Sequence, residues 1–262
     1  LHKHGFRKPQ RSNAWLALFM RRCALIEYRL LDEFRNLFFG KQYIHRASNL
    51  GDFVAMHLYE DLAALNRSPR YTLRVTARER VLNVQNKRKG IQARRGDGSF
   101  GELIPGETPI VDPGYLVARG PVATIEIGVE VKILAKAMIK QIDRVTGDLK
   151  KQVAEFKHRS GDYEPICVGI VGINSAEVTT GYEADRSYRT DGSKHKHPYQ
   201  EAPEAQRRLL ANAAPAYDEF LVLRYRATNE PPYPFEWVDY KDTMQEYGSI
   251  LTRISRTYEK RF

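Results

Sequence analysis

The chain has 262 residues, 42% of them apolar, and carries 42 Lys and Arg against 32 Asp and Glu, a formal charge of +10. That length buries a large core, in one domain with extensions or in two small domains, and the surplus of cations points to a polyanionic partner, nucleic acid or an anionic surface. No apolar run approaches the ~18 to 20 residues of a membrane span and no signal peptide is visible. The two cysteines, Cys23 and Cys167, sit in separate elements and exclude a disulfide framework or a Cys-x-x-Cys zinc site, so a reduced, cytoplasmic compartment is expected.

Residues 1 to 12 form a basic arm with Lys3, Arg7, Lys8 and Arg11, read either as a loose terminus or as a phosphate contact. From Ser12 to Phe39 apolar residues recur at three- and four-residue steps and Gly40 stops the pattern, which predicts a helix; a second follows over Ser48 to Leu65. Residues 66 to 95 then carry ten cations against the single acid Glu79. Of these, Arg70, Arg74, Arg78, Lys87, Arg88, Lys89, Arg94 and Arg95 are the candidate nucleic-acid contacts, since each neutralised phosphate releases counterions; a solvated basic surface is the alternative. Within the run, Tyr71 to Thr76 alternates like a strand, and Arg94 to Gly101 reads as a turn-rich loop.

The run Pro109 to Val117 predicts a short strand with Asp112 at a Pro-Gly bend, folding back on the strand that follows. That strand is Thr124 to Leu134. Ile125, Ile127, Val129, Val131 and Ile133 fall on one face, and Glu126, Gly128, Glu130 and Lys132 on the other. Two carboxylates and an ammonium in file suit an ordinary solvent face. They equally suit a site that holds a hard cation through carboxylate oxygens, with a lysine in reach of the same phosphate or water. The tripeptide acid-x-Lys occurs four times in the chain, and only Glu130-Val131-Lys132 lies on an alternating strand.

Ala135 to Phe156 predicts a helix, with Lys136, Lys140, Lys150, Lys151 and Lys157 along it. Ile166 to Ile173 is a continuous apolar run that predicts a strand buried on both faces. Residues 177 to 200 are polar and turn-rich; His195-x-His197 lacks a third ligand and a mobile loop is the simpler reading. A helix over Ala202 to Ala213, a strand within Glu219 to Ala227, a proline-rich break and a helix over Trp237 to Phe262 complete the chain.

Asp112, followed eighteen residues later by Glu130-Val131-Lys132, resembles the catalytic signature of the PD-(D/E)xK nuclease superfamily. In that superfamily the Asp lies near the start of the second core strand and the Glu-x-Lys on the third. The resemblance covers residues 48 to 175, and the proline follows the aspartate here instead of preceding it. It implies a restriction-endonuclease-like core of helix, three strands, helix and strand. It also implies Mg²⁺, replaceable by Mn²⁺, held by Asp112, Glu130 and the Val131 carbonyl, with Lys132 orienting or deprotonating the attacking water. Accessory roles fall to Glu60 on the first core helix, to Glu126 at a second metal or in solvent, and to Gln152, which opens a Gln-x-x-x-Phe variant of a Gln-x-x-x-Tyr motif. Gly128 would let the DNA backbone approach.

The resulting expectation is an α/β fold, a mixed central sheet flanked by helices. It divides into a basic arm and helix (1 to 47), the nuclease-like core (48 to 175) and a C-terminal extension (176 to 262). The expected function is that of a metal-dependent DNA endonuclease of restriction or defence type, with RNA left open as a substrate. The alternative is a non-catalytic nucleic-acid-binding protein or a subunit of a nucleoprotein complex. The first and last helices either pack together or build a homodimer face.

Overall fold

The computed structural model describes residues 28–44, 47, 50–83, 87–88, 91–92, 97–158, 160–183, 186–192 and 196–262. The basic arm, most of the first expected helix, Lys89, Arg94, Arg95 and His195 lie outside the described residues. Helix α1 (Arg29–Asn36) precedes α2 (Leu50–Leu65) and α3 (Pro69–Thr76). Then come β1 (Arg80–Asn83), the hairpin of β2 (Lys87–Arg88) and β3 (Ile91–Gln92), β4 (Gly98–Leu103), β5 (Arg119–Gly120) and β6 (Val122–Leu134). They are followed by α4 (Met138–Lys157), β7 (Ile166–Asn174), the hairpin of β8 (Thr180–Glu183) and β9 (Arg186–Arg189), and α5 (Pro198–Asn212). The chain ends in β10 (Glu219–Ala227), β11 (Phe235–Trp237) and α6 (Tyr240–Arg261).

Among the described residues seven strands form one mixed sheet, ordered β11-β10-β7-β6-β4-β1-β5. β4 runs antiparallel to both β1 and β6, while β6, β7 and β10 run parallel to one another. Helices cover both faces. On one side α1, α2 and α6 pack around Phe34, Leu58, Tyr59, Phe100, Tyr225 and Tyr247. On the other, α4 and α5 pack through Met138, Ile142, Leu149, Phe156, Ala205 and Leu209. The expected α/β class with a helix-flanked mixed sheet is therefore what forms. Burial from both sides also explains the unbroken apolar run of β7. Residues 176 to 262, read from sequence as an extension, contribute β10 and β11 to this same sheet.

Two expected strands are not strands. Residues 69–76 form α3, because Ser68 caps a helix that Pro69 begins: Ser68 Oγ accepts from the Tyr71 amide at 3.1 Å. Its buried residues are Tyr71 and Val75, one helical turn apart, and Leu73, which a strand would have turned to the same face, is 70% exposed. The run 109–117 is a loop with a single bridge, Ile110 to Arg119, at the β5 edge of the sheet. The strand that pairs with β6 is instead β4, inside and beyond the stretch read as a turn-rich loop.

The layer of α1, α2 and α6 is pinned by a buried carboxylate. Asp61 on α2 accepts from the Arg29 and Leu30 amides at the start of α1, at 2.9 and 3.0 Å, and from the Tyr247 hydroxyl on α6 at 2.8 Å. One side chain thus caps one helix and ties three together, which fixes α2 over the sheet.

Candidate active site

The site grows from the far half of β6. Beyond Ile127 the strand alternates as the sequence implies. Val129 and Val131 enter the α1–α2–α6 core, while Glu130 and Lys132 face α4. Helix α4 folds back along the strand: Phe156 fills the space above Gly128, and Asp148 stands by Lys132. Gln152, one turn from each of those two positions, therefore lies at the level of Glu130. Glu130 is 5% exposed. One of its oxygens, Oε1, accepts from Lys132 Nζ, and the other, Oε2, is buried with no hydrogen-bond partner. The Gln152 amide nitrogen is likewise buried and unpartnered. Burial raises the Glu130 pKa, and the nearby Asp97 carboxylate raises it further, to about 7, against the opposing pull of Lys132. For Lys132 burial works against the charge, but Glu130 and Asp97 outweigh it and the pKa ends up raised.

The second carboxylate is Asp97, immediately before β4. Gly98 is the first residue of β4 and pairs with Val129, so the Val131 backbone has no β4 partner; Asp97 Oδ2 takes its amide at 2.8 Å. The carbonyl of the same residue points to the same side of the strand as its amide. Two close approaches hold this corner. Tyr59 on α2 donates to the carbonyls of Gly98 and Ile127, at 3.1 and 3.2 Å. Gly51, in the first turn of α2, lies so close to the Asp97 carboxylate that a Cβ there would sit 2.6 Å from Oδ2. Gly51→Ala is therefore expected to move stability and function apart. Alanine favours the helix by up to ~1 kcal/mol, yet it displaces Asp97. The melting temperature should hold or rise while any metal-dependent activity at this corner falls by about tenfold, the order seen when the support of a metal site is disturbed. Thermal denaturation beside a single-turnover assay of that activity would check both halves.

The remaining candidates lie elsewhere. Asp112 does not reach Glu130. It sits in the loop at the β5 edge, three strand positions from β6, and both of its oxygens pair with Arg119, Nη2 to Oδ1 at 2.7 Å. The Arg119 hydrogen bonds lower its pKa. Glu60 is also bound up in structure: it accepts from the Leu116 and Val117 amides at 2.9 and 2.8 Å and pairs with Arg29. Gly128 admits the Phe156 ring, not a nucleic-acid backbone.

Glu126 leaves the Glu130 row because of a β-bulge. Phe100 pairs with Ile127 but Gly101 with Ile125, so Glu126 is the extra residue and swings to the α6 side. There it accepts from Arg80, Arg74 and Tyr258. Glu126→Ala should cost about 3 kcal/mol, since it strands two guanidinium groups and a buried hydroxyl. It should leave the response of the folded protein to Mg²⁺ unchanged, as denaturant melts and a metal titration would show.

Of the proposed nucleic-acid contacts, Arg74 is thus spent inside the fold, with its Nη2 on the Phe262 carbonyl at 2.7 Å. The Arg70 side chain and Arg78 are exposed, and the backbone of Lys87 and Arg88 forms β2.

A groove of about 1160 Å³ opens beside Asp97, Val131 and Lys132, bounded by the start of α2, by α4 and by the β8–β9 hairpin. Among the described residues no group of three or more His, Cys, Asp or Glu side chains is arranged to hold a metal. What the corner offers is a different donor set: two carboxylates, one oxygen of which is buried and unsatisfied, and a main-chain carbonyl. Oxygen donors of this kind suit Mg²⁺ or Mn²⁺, which retain several waters. Of the three side chains at this corner, the sequence pattern points to Glu130 and Lys132 and not to Asp97. The available signal was Phe100 and Leu103 at the end of the Gly-rich stretch, which mark it as a strand. No helix among the described residues is long and apolar enough to cross a membrane. Comparison with protein-family models, with curated proteins and with solved structures gives no match.

Proposed function

We propose that the chain is a metal-dependent deoxyribonuclease of the PD-(D/E)xK type, with Asp97, Glu130 and Lys132 as its working residues. The observation that carries this reading is the buried, unpartnered Glu130 Oε2 beside a second carboxylate. Two acids confined together in a poorly solvated corner repel each other, and a divalent cation relieves that repulsion. Support comes also from position. The superfamily's Asp lies near the start of the second core strand and its Glu-x-Lys on the third, and Asp97 immediately precedes β4 while Glu130 and Lys132 lie on β6.

Asp97, Glu130 and the Val131 carbonyl would hold Mg²⁺ or Mn²⁺. When bound, the ion supplies polarisation of a phosphoryl oxygen and acidification of an attacking water. Lys132, whose raised pKa keeps it an ammonium, orients that water by donating to it and offsets the charge that grows on the phosphate in the transition state. This favours orientation over deprotonation as its role. Gln152 adds an amide donor at the level of Glu130.

The test is supercoiled plasmid and single-stranded circular DNA incubated with Mg²⁺, with Mn²⁺ and with chelator. Cutting that requires metal supports the reading. DNA bound equally with and without metal and never cut, across both substrates, would replace it with a non-catalytic nucleic-acid-binding protein.

A further inference from the structure

The groove beside Lys132 has walls that hydrolysis itself does not use. On the α4 side, Lys136 precedes the helix, and Lys140 and Arg144 follow at four-residue steps. On the helix Lys140 and Arg144 share one face, with a rise of about 6 Å between them. Lys140 and Arg144 are exposed and enter no ion pair among the described residues. Besides Asp97, two acids line the groove with these cations. Glu201 Oε2 accepts from the Met138 amide at 3.0 Å and caps α4, and Asp148 stands by Lys132.

The facing wall is the β8–β9 hairpin. Lys136 Nζ lies 4.6 Å from the centre of the Tyr188 ring. Gly181, the partner of Tyr188 in the hairpin, leaves room for that lysine, since a Cβ there would sit 2.3 Å from its Cε. The hairpin is tied at its base. The Thr180 amide donates to the Thr228 carbonyl at 2.8 Å, and Asn229 Nδ2 to the Thr180 carbonyl at 2.7 Å; Arg189 Nε meets Glu230 Oε1 at 2.9 Å. It is thus a fixed wall, and Lys196 adds a further cation beyond it.

We propose that this groove is the track of a single, unpaired DNA strand. Lys140, Arg144 and Lys196 meet phosphates, the Tyr188 ring, with Lys136 over one face, offers the other to an unpaired base, and the strand is led to Asp97, Glu130 and Lys132. The proposal rests on the nuclease reading above and specifies its substrate. Cations in file along one wall and an aromatic on the other are the combination that binds single strands without reading sequence. A duplex keeps its bases stacked inside and gives the tyrosine nothing to stack on.

The test is fluorescence anisotropy in chelator, so that nothing is cut, with a labelled single-stranded oligothymidine and a duplex of equal length across a salt series. The single strand should bind at least about ten times more tightly than the duplex. Replacing Lys140 and Arg144 together by Ala should flatten the log–log salt slope for the single strand by about 1.4, at about 0.7 per phosphate contact. Tyr188→Ala should weaken binding about tenfold and Tyr188→Phe should restore it, with circular dichroism confirming that the fold persists. Duplex bound as tightly as single strand, or a salt slope unchanged in the double variant, overturns the single-strand track and leaves the nuclease standing. Wild-type protein that binds neither overturns the track, and the nuclease reading then stands or falls on the plasmid assay with metal.

Discussion

Asp97→Asn should remove metal-dependent cleavage, lowering the single-turnover rate by a factor on the order of 10² to 10³, while Asp112→Asn should leave it within about twofold. The magnitude is that of removing one element of preorganised charge stabilisation from a buried site. The contrast follows from what each carboxylate touches. Asp97 accepts from the Val131 amide and bears on Glu130 and Lys132. Asparagine retains a carbonyl oxygen for the Val131 amide, so the corner should stay folded while it loses the charge that a cation needs. Asp112 is bound by Arg119 at the other edge of the sheet. That pair is partly exposed on both sides, with side-chain accessibilities of 27% and 35%, and is worth ~1 kcal/mol at most. Metal titrations followed by thermal shift would separate the two variants without recourse to activity. Mg²⁺ should stabilise the wild type and Asp112→Asn alike and should not stabilise Asp97→Asn. If Asp112→Asn is the inactive variant and Asp97→Asn cuts normally, the site drawn here is wrong.

Asp112 is conspicuous in the sequence and Asp97 is not, for a physical reason. Glu130 and Lys132 were legible because β6 is long and its alternation beyond Ile127 is uninterrupted. β4 is short and contains two glycines, and its neighbours select them: Gly98 lies against Ala55 and Tyr59, and a Cβ on Gly101 would strike the Thr124 carbonyl. A strand that must let other backbone and rings approach this closely gives up the β-branched residues that would announce it. The same limit explains Glu126. A period-two count assumes that no residue is inserted, and a bulge shifts everything before it to the other face. Residues 71–76 failed for want of length, since six residues fit either period until Ser68-Pro69 is given weight as a helix start. The basic run 66–95 was visible, yet its sequence gives no sign that Arg74 and Arg80 turn inward to Glu126, which lies more than forty residues away. Conversely, Lys136, Lys140 and Arg144 are too few to stand out as a charge run. They become a feature only when the β8–β9 hairpin, some forty residues on, closes over them.

Glu130→Gln should make the metal-free protein more stable at pH 8 while abolishing cleavage. The Glu130 carboxyl is raised to about 7 by burial first and by Asp97 second, from an ordinary value of 4.5. A raised carboxyl favours the protonated folded state. Its contribution is fully present below pH 4.5, where the unfolded chain is also protonated. That contribution is lost as pH rises from 4.5 through 7, because the unfolded chain ionises first. Above pH 7 the folded protein carries a buried charge that it would hold more cheaply as a neutral group. Wild-type stability in chelator should therefore fall between pH 5 and pH 8 by about 2 kcal/mol, a figure below the full linkage value because Lys132 shares the charge. The glutamine variant, neutral throughout, should lack that slope and exceed the wild type at pH 8 by a similar amount, with little difference at pH 5. Added Mg²⁺ should reverse the order at pH 8, stabilising the wild type and not the variant, because binding requires the ionised carboxylate and so strengthens as pH rises through 7. Denaturant melts at the two pH values, with and without Mg²⁺, give all four numbers. A variant less stable than the wild type at pH 8 in chelator would mean that Glu130 is held by its bond to Lys132 and serves the fold. A more stable variant that no longer responds to metal would mean that this acid is kept charged, at a cost to the fold, for the cation it binds.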